Sequence, residues 1–213
     1  NYGILVDAQG RRFTDEAPFS ADATYEAVTR IIGEQPGGIA WLILDGRLDT
    51  IANWQRAVRS DQPPVAAATL AELAGKIGVP ADRLAATVAG YNEACPPSTK
   101  PFHAERPDGI ATRAGLEPCK SNWAFPLERA PWRAYPIICG NCFTFGGLKV
   151  DPGARVLDTD GRPIGGLYAA GETMGLYYGT YTGATSVLRG AVFGRIAGLD
   201  AAARSKGSNS IEA

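Results

Sequence analysis

The short apolar run Leu167-Tyr168-Ala169-Ala170 stops at Gly171, and an acid, Glu172, follows at once. A run of this length suits a buried strand, and the flanking glycines leave room for another backbone or a flat ligand. After the loop TMGLYYGTYTG, the segment GATSVLRG opens a helix predicted over about Gly183 to Ala203. The pattern is therefore strand, carboxylate, loop, helix N-terminus. A helix start presents unpaired backbone N–H groups and partial positive charge, which suit an anion. Thr185 or Ser186 is placed to cap it, while Gly183 and Ala184 leave space for a planar group. An ionised Glu172 accepts hydrogen bonds without donating, which suits the hydroxyls of a sugar or sugar alcohol. The same residues also fit a plain crossover with a solvated acid.

With 213 residues, 45% of them hydrophobic, the chain is large enough for a real core. A net charge of −1 argues against a nucleic-acid or anionic-membrane surface. The longest apolar run, Ile39–Leu44, is far short of the roughly 20 residues a membrane helix needs. The chain opens without Met and reads as a piece of a longer protein. Of the four cysteines, Cys139 and Cys142 form CGNC. Packed or turn cysteines explain this pair, and redox or metal chemistry is the alternative. Zinc would need two more ligands at motif spacing, and the only histidine is His103, a surface loop residue by its context. A reduced, cytoplasmic setting is expected.

YGILVD and RRFTDE read as a β-hairpin around Ala8-Gln9-Gly10, and Ala21 to Gly33 as a helix with Tyr25, Val28 and Ile32 on one face. IAWLIL is a buried strand, followed by a short helix near Leu48 to Val58. Thr69 and Glu72 form a capping box. Gly78 ends that helix, and Pro80 sits just inside the next. Residues 96–136 form a long Pro-rich loop of the kind that is functional or a lid. Beyond Tyr135, strands and tight turns are expected. Gly190, Gly194 and Gly198 imply close approach of the last helix to a sheet, and the tail 204–213 looks disordered.

Three stretches, FTFGGLKVD, GRPIGGLYAAGET and SVLRGAVFGRIAG, resemble the C-terminal signature of the succinate dehydrogenase/fumarate reductase flavoprotein family. GILVDAQGRRFTDEA resembles that family's entry into its capping domain, and TLAELAGKIGVPADRLAATVAGYNEAC its helical pair. The resemblance implies an α+β fold in which a capping domain joins the C-terminal portion of an FAD-binding α/β domain. Residues 1–15 would connect, 16–135 form the cap, 136–203 return to the FAD domain, and 204–213 be the tail. It implies FAD, with Glu172 on the ribityl chain and Gly171 and Gly183 beside it. Ser186, Val187 and Leu188 would face the pyrimidine edge of the flavin. Thr144, Gly146, Gly147, Tyr178 and Tyr181 are substrate-pocket candidates, the two glycines through close backbone approach.

Phe143 stands where fumarate reductases carry a histidine, and Tyr181-Thr182 near their second carboxylate-gripping arginine. DGIATRAGLEPCKSNWAFPLERAPWRAYP and YYGTYTGATSVLRGAVFGR are closer to the tricarballylate dehydrogenase branch and to precorrin-oxidising flavoproteins of cobalamin synthesis. The expected reaction converts tricarballylate to cis-aconitate, with Lys120 as acid/base and Arg113 gripping carboxylate. Arg129 and Arg133 are further cations in the loop, and Glu16 would bridge cap and base. Alternatives are a corrinoid precursor, a ketosteroid-type substrate, or a cap-like interaction domain without catalysis. The expected partners are a small polycarboxylate, a separate electron-accepting redox protein, and a missing N-terminal half carrying GxGxxG. Peripheral attachment to the inner membrane through the redox partner is compatible with this reading. Without that half, the fragment is expected to be inactive alone.

Overall fold

The computed structural model describes residues 2–58, 60–97, 103, 106–141, 143–179, 183 and 185–208, with 206–208 given by backbone alone. The chain divides into two compact units, Asn1–Cys139 and Gly140–Ala213. Among the described residues, no helix is long and apolar enough to cross a membrane.

The first unit contains β1 (Ile4–Val6), α1 (Ala21–Gly33), β2 (Ile39–Leu44), β3 (Val65–Ala67), α2 (Leu70–Ile77), α3 (Ala81–Ala94) and β4 (Trp132–Ile138). Its strands form an antiparallel sheet in the order β1-β2-β4-β3. Side chains alternate across a strand, so each face serves a different layer. Leu5, Ala40 and Ile137 pack with Val28 and Ile32 of α1. Ile4, Val6, Ile43 and Ala134 pack with Leu73, Ile77, Leu84, Val88 and Tyr91 of α2 and α3. The mixed helix-and-strand content expected from the sequence is what the chain adopts.

Several local expectations need correction. The N-terminal hairpin is reduced to one bridge, Val6 to Arg12, and the strand partner of β1 is β2. The reason lies in two acids. Asp7 closes the turn on itself by accepting from Gln9 N at 2.8 Å and Arg11 N at 2.9 Å. Glu16 then takes the Leu5 amide at 3.0 Å while pairing with Arg12. The predicted helix after β2 is two 3-10 turns, Gly46–Thr50 and Trp54–Ala57, parted at Asn53, where φ is 59°. The capping box forms, with Thr69 Oγ1 accepting from Glu72 N at 3.1 Å. Its return arm reaches Ala68 N rather than Thr69 N, at 3.0 Å. Gly78 ends α2 at φ 72°, and Pro80 caps α3 from one position outside it.

The described part of the Pro-rich loop is fastened down and does not hang free as a lid. Asp108 accepts from Trp123 N at 2.9 Å, and Trp123 is fully buried. Thr112 N donates to Lys120 O and Ala124 N to Ile110 O, each at 2.9 Å. Residues 118–122 bind residues 12–18 through Arg12 to Pro118 O, Ser121 to Asp15, and Asn122 to Ala17 O.

The second unit holds the hairpin of β5 (Arg155–Leu157) and β6 (Pro163–Tyr168), a 3-10 turn Gly171–Thr173, and α4 (Thr185–Ser208). β4 ends at Ile138, and among the described residues the expected strand beyond it survives only as the bridges Leu148 to Met174 and Val150 to Val156. β6 is mostly exposed rather than buried. α4 runs past Ala203, so the expected tail starts inside a helix, and residues 209–213 lie outside the described set. Of the three spaced glycines in α4, only Gly190 meets another backbone among the described residues, a Cβ there lying 3.8 Å from the Gly171 Cα; Gly194 and Gly198 face open space.

Candidate functional site

Two glycines bring the site together. Leu148 N donates to Thr173 O at 2.8 Å, and Gly175 N to Leu148 O at 3.0 Å, laying the chain after Gly147 alongside the 171–175 turn. A Cβ on Gly147 would sit 2.5 Å from Thr173 O, and one on Gly175 would sit 2.9 Å from Gly147 N. Gly147 also has φ 133°, so no other residue fits there without strain. The close approach shown at Gly147 is to its own chain. Gly146, at φ 78°, does face open space.

This register presents Thr144 to Glu172. Oε2 of Glu172 accepts from Thr144 N at 2.9 Å and from Thr144 Oγ1 at 3.1 Å. From the other side, Arg189 of α4 donates to Oε1. The Arg189 guanidinium also donates to Met174 O at 3.0 Å and lies 4.9 Å over the Tyr177 ring. Tyr177 in turn donates to Thr185 O at 2.8 Å, tying the loop to the first residue of the helix. The Thr144 amide, then the Arg189 guanidinium, hold the Glu172 carboxyl below its ordinary range, so it is ionised at neutral pH.

A carboxylate has about four acceptor positions, and Thr144 and Arg189 fill three. The Glu172 side chain is 42% exposed, and among the described residues one acceptor position of its carboxylate is unfilled. At the start of α4, Val187 and Leu188 are 75% and 59% exposed and Ser186 is buried. Gly183 sits in an exposed turn with nothing within 4 Å of its missing Cβ.

Of the residues expected here from sequence, the structure brings together Glu172, Gly171, Thr144, Gly147 and the start of α4. Thr144 binds Glu172 through both its amide and its hydroxyl, so its role is to hold the acid. Tyr178 is 96% exposed, and Tyr181 lies outside the described residues. Sequence reasoning missed Arg189 and Tyr177. The available signal was a lone arginine among small residues, VLRGAV, which reads as surface charge until the fold turns it inward.

The first unit treats its candidates differently. Lys120 is wholly buried, donates from Nζ to Gly3 O, and lies 5.7 Å over the Tyr91 ring. Burial pushes its pKa down to about 8, against the pull of Glu16 and with Arg12 adding to the fall. A general base must reach a substrate proton, and this ammonium is sealed in a core. In this chain Lys120 is a buried anchor that ties the loop to Gly3. Arg113 is exposed, and its own backbone N donates to Ala94 O at 2.7 Å. The two are not gathered into one site, since Lys120 is wholly buried and Arg113 is exposed. Arg133 is committed to Asp49 at 2.8 Å and to the Trp54 ring, while Arg129 lends its amide to Asp45. Glu16 pairs with Arg12 inside the first unit. Cys139 donates to Thr29 O, and Cys142 lies outside the described residues.

The chain is 36% identical over 206 residues to the NADH:acrylate oxidoreductase of Vibrio harveyi, covering 93% of this chain and 18% of that protein. It matches the open conformation of a flavocytochrome c3 fumarate reductase with a TM-score of 0.71 and 28% identity, covering 94% of this chain and 32% of that one. It also matches a 3-ketosteroid delta1-dehydrogenase from Sterolibacterium denitrificans, in complex with 1,4-androstadiene-3,17-dione, with a TM-score of 0.65 and 28% identity over 95% and 39% of the two chains. The chain spans well under half the length of each of these relatives. Residues 3–188 match the family described as FAD binding domain, and the chain belongs to that family.

Proposed function

We propose that this chain is part of an FAD-dependent oxidoreductase acting on CH–CH groups, and that its second unit holds the ribityl and pyrimidine end of the flavin. The observation that carries this is the ionised, half-exposed Glu172 carboxylate, clamped between Thr144 and Arg189 near the first turns of α4. The residues fit the group. Oε1 retains an acceptor position for a sugar-alcohol hydroxyl, Gly146 and Gly183 leave space, and Val187 and Leu188 offer apolar surface to a ring. FAD, when bound, supplies two-electron chemistry by accepting a hydride from carbon. The start of α4 would supply partial positive charge to a reduced ring held beside it. Electrons then leave to a separate redox protein, and the remaining FAD contacts come from a part of the protein not included in this chain.

For the substrate we favour a small polycarboxylate of the tricarballylate type. One C–H would leave as hydride to the flavin, the neighbouring C–H next to carboxylate as a proton to a general base, and a C=C bond would remain. Exposed Arg113 is a candidate carboxylate clamp. A ketosteroid-type or cyclic ketone is the second reading, supported by the likeness to the ketosteroid dehydrogenase. The test uses the intact parent protein without oxygen. Tricarballylate is expected to bleach the flavin absorbance, with cis-aconitate formed in equal amount. Bleaching by a 3-ketosteroid but not by tricarballylate would move the assignment to the second reading, and a colourless protein that takes up no FAD would remove both.

A further inference from the structure

Arg189 enters the reading above only as one side of the clamp on Glu172, and its own surroundings say more. It is buried, with its side chain 1% exposed, in the second turn of a helix that otherwise shows much of its surface to solvent. Its guanidinium reaches across to Glu172 and to Met174 O and stacks over Tyr177, so one side chain fixes both sides of the turn that presents the acid. Its Nε is buried with no hydrogen-bond partner among the described residues. A buried donor without a partner is costly and calls for an account beyond packing.

We infer that Arg189 is a positioning residue for the cofactor, acting through Glu172: it locks the carboxylate against the Thr144 turn so that the remaining acceptor position faces outward. This rests on the reading that Glu172 meets the flavin's sugar alcohol. Without Arg189, the carboxylate keeps its Thr144 bonds at Oε2 but is free to rotate Oε1 away. Arginine suits the task because its planar fork engages the carboxylate and the Met174 carbonyl together, which a lysine ammonium does less well.

The experiment is a double-mutant cycle on FAD affinity in the full-length protein, read by fluorescence titration, with the melting temperature of the FAD-free protein recorded alongside. Glu172→Gln and Arg189→Met are each expected to weaken FAD binding about ten-fold, the scale of one charge-assisted hydrogen bond. The double variant should bind no more weakly than Glu172→Gln alone, and Arg189→Lys should recover part of the loss. Losses that multiply in the double variant would overturn the inference, because Arg189 would then act independently of Glu172. A lowered melting temperature with unchanged FAD affinity in Arg189→Met would overturn it as well, leaving a structural ion pair. If Arg189→Met does not fold, the cycle is run with Arg189→Lys under the same criteria. Wild-type affinity in Glu172→Gln would remove the underlying reading of Glu172 first and the Arg189 inference with it.

Discussion

The two units of this chain bury their hydrophobic residues in opposite ways. The first folds around a continuous core running from Tyr2 and Ile4 through Leu73, Tyr91 and Trp123 to Ala134, enclosed by helices on both faces of its sheet. The second has a core of Val156, Ala169 and Met174, with Val150 and Phe193 against it. Around that small core it leaves Ile164, Leu167, Leu188, Val192 and Leu199 each more than 40% exposed. Burial of apolar surface is the main stabilising term in folding, and the first unit collects it internally while the second does not. The second unit's pattern suits a layer that meets a further surface. That accords with our proposal that the remainder of the FAD domain lies elsewhere in the parent protein.

The largest effect expected from this contrast is at Trp123. It is fully buried and held by Asp108, so Trp123→Ala should cost about 3–5 kcal/mol in urea denaturation. The same measurement on Leu167→Ala, a residue 44% exposed, should show a change of less than about 1 kcal/mol. Equal losses at the two positions would break the comparison.

The same contrast explains what was legible in the sequence. α1, β2, α2 and the start of α3 were readable because their periodicity and caps are local: Thr69, Gly78 and Pro80 act within a few residues. Glu172 was readable because a carboxylate directly after an apolar run is unusual. Arg189 was not, because its partners lie 15 to 17 residues away, across the loop before α4. The burial of Lys120 was not legible for a related reason. In a loop rich in Pro, Gly and charge, nothing local says that one cation turns inward to Gly3, 117 residues away. The failed hairpin shows the same limit, since Glu16 claims the Leu5 amide through a side chain that strand patterns ignore.

A second, smaller effect separates the buried lysine from an exposed one. Unfolded, Lys120 keeps its proton until about pH 10.5; folded, burial lets it go near pH 8. Between these values the unfolded state binds more protons, so the folded state gains stability as pH rises through this window. Below the window the depressed value is a standing penalty. Glu16, Asp15, Arg12 and Cys95 also act on this site electrostatically. Urea midpoints of wild type and Lys120→Met at about pH 7.5 and 9.5 should therefore diverge, with wild type gaining on the variant at the higher pH. Parallel behaviour would mean that the lysine is solvated and free to serve as the acid/base after all.

The smallest effect is the most informative about the second unit. Leu188, Val192 and Leu199 are spaced four and seven residues apart, which puts them along one stripe of α4, and all three are at least 50% exposed. If that stripe meets only water, Val192→Asp should change the stability of this chain by no more than about 0.5 kcal/mol, as for an ordinary surface position. If the stripe is a buried face in the parent protein, the same substitution places an unpaired carboxylate against apolar surface, which is strongly unfavourable. The full-length variant should then melt lower than wild type and lose FAD on gel filtration, while the fragment melts as before. A full-length protein that tolerates Val192→Asp would show that the exposed stripe is a genuine surface, and that the second unit's thin core is all the burial it has.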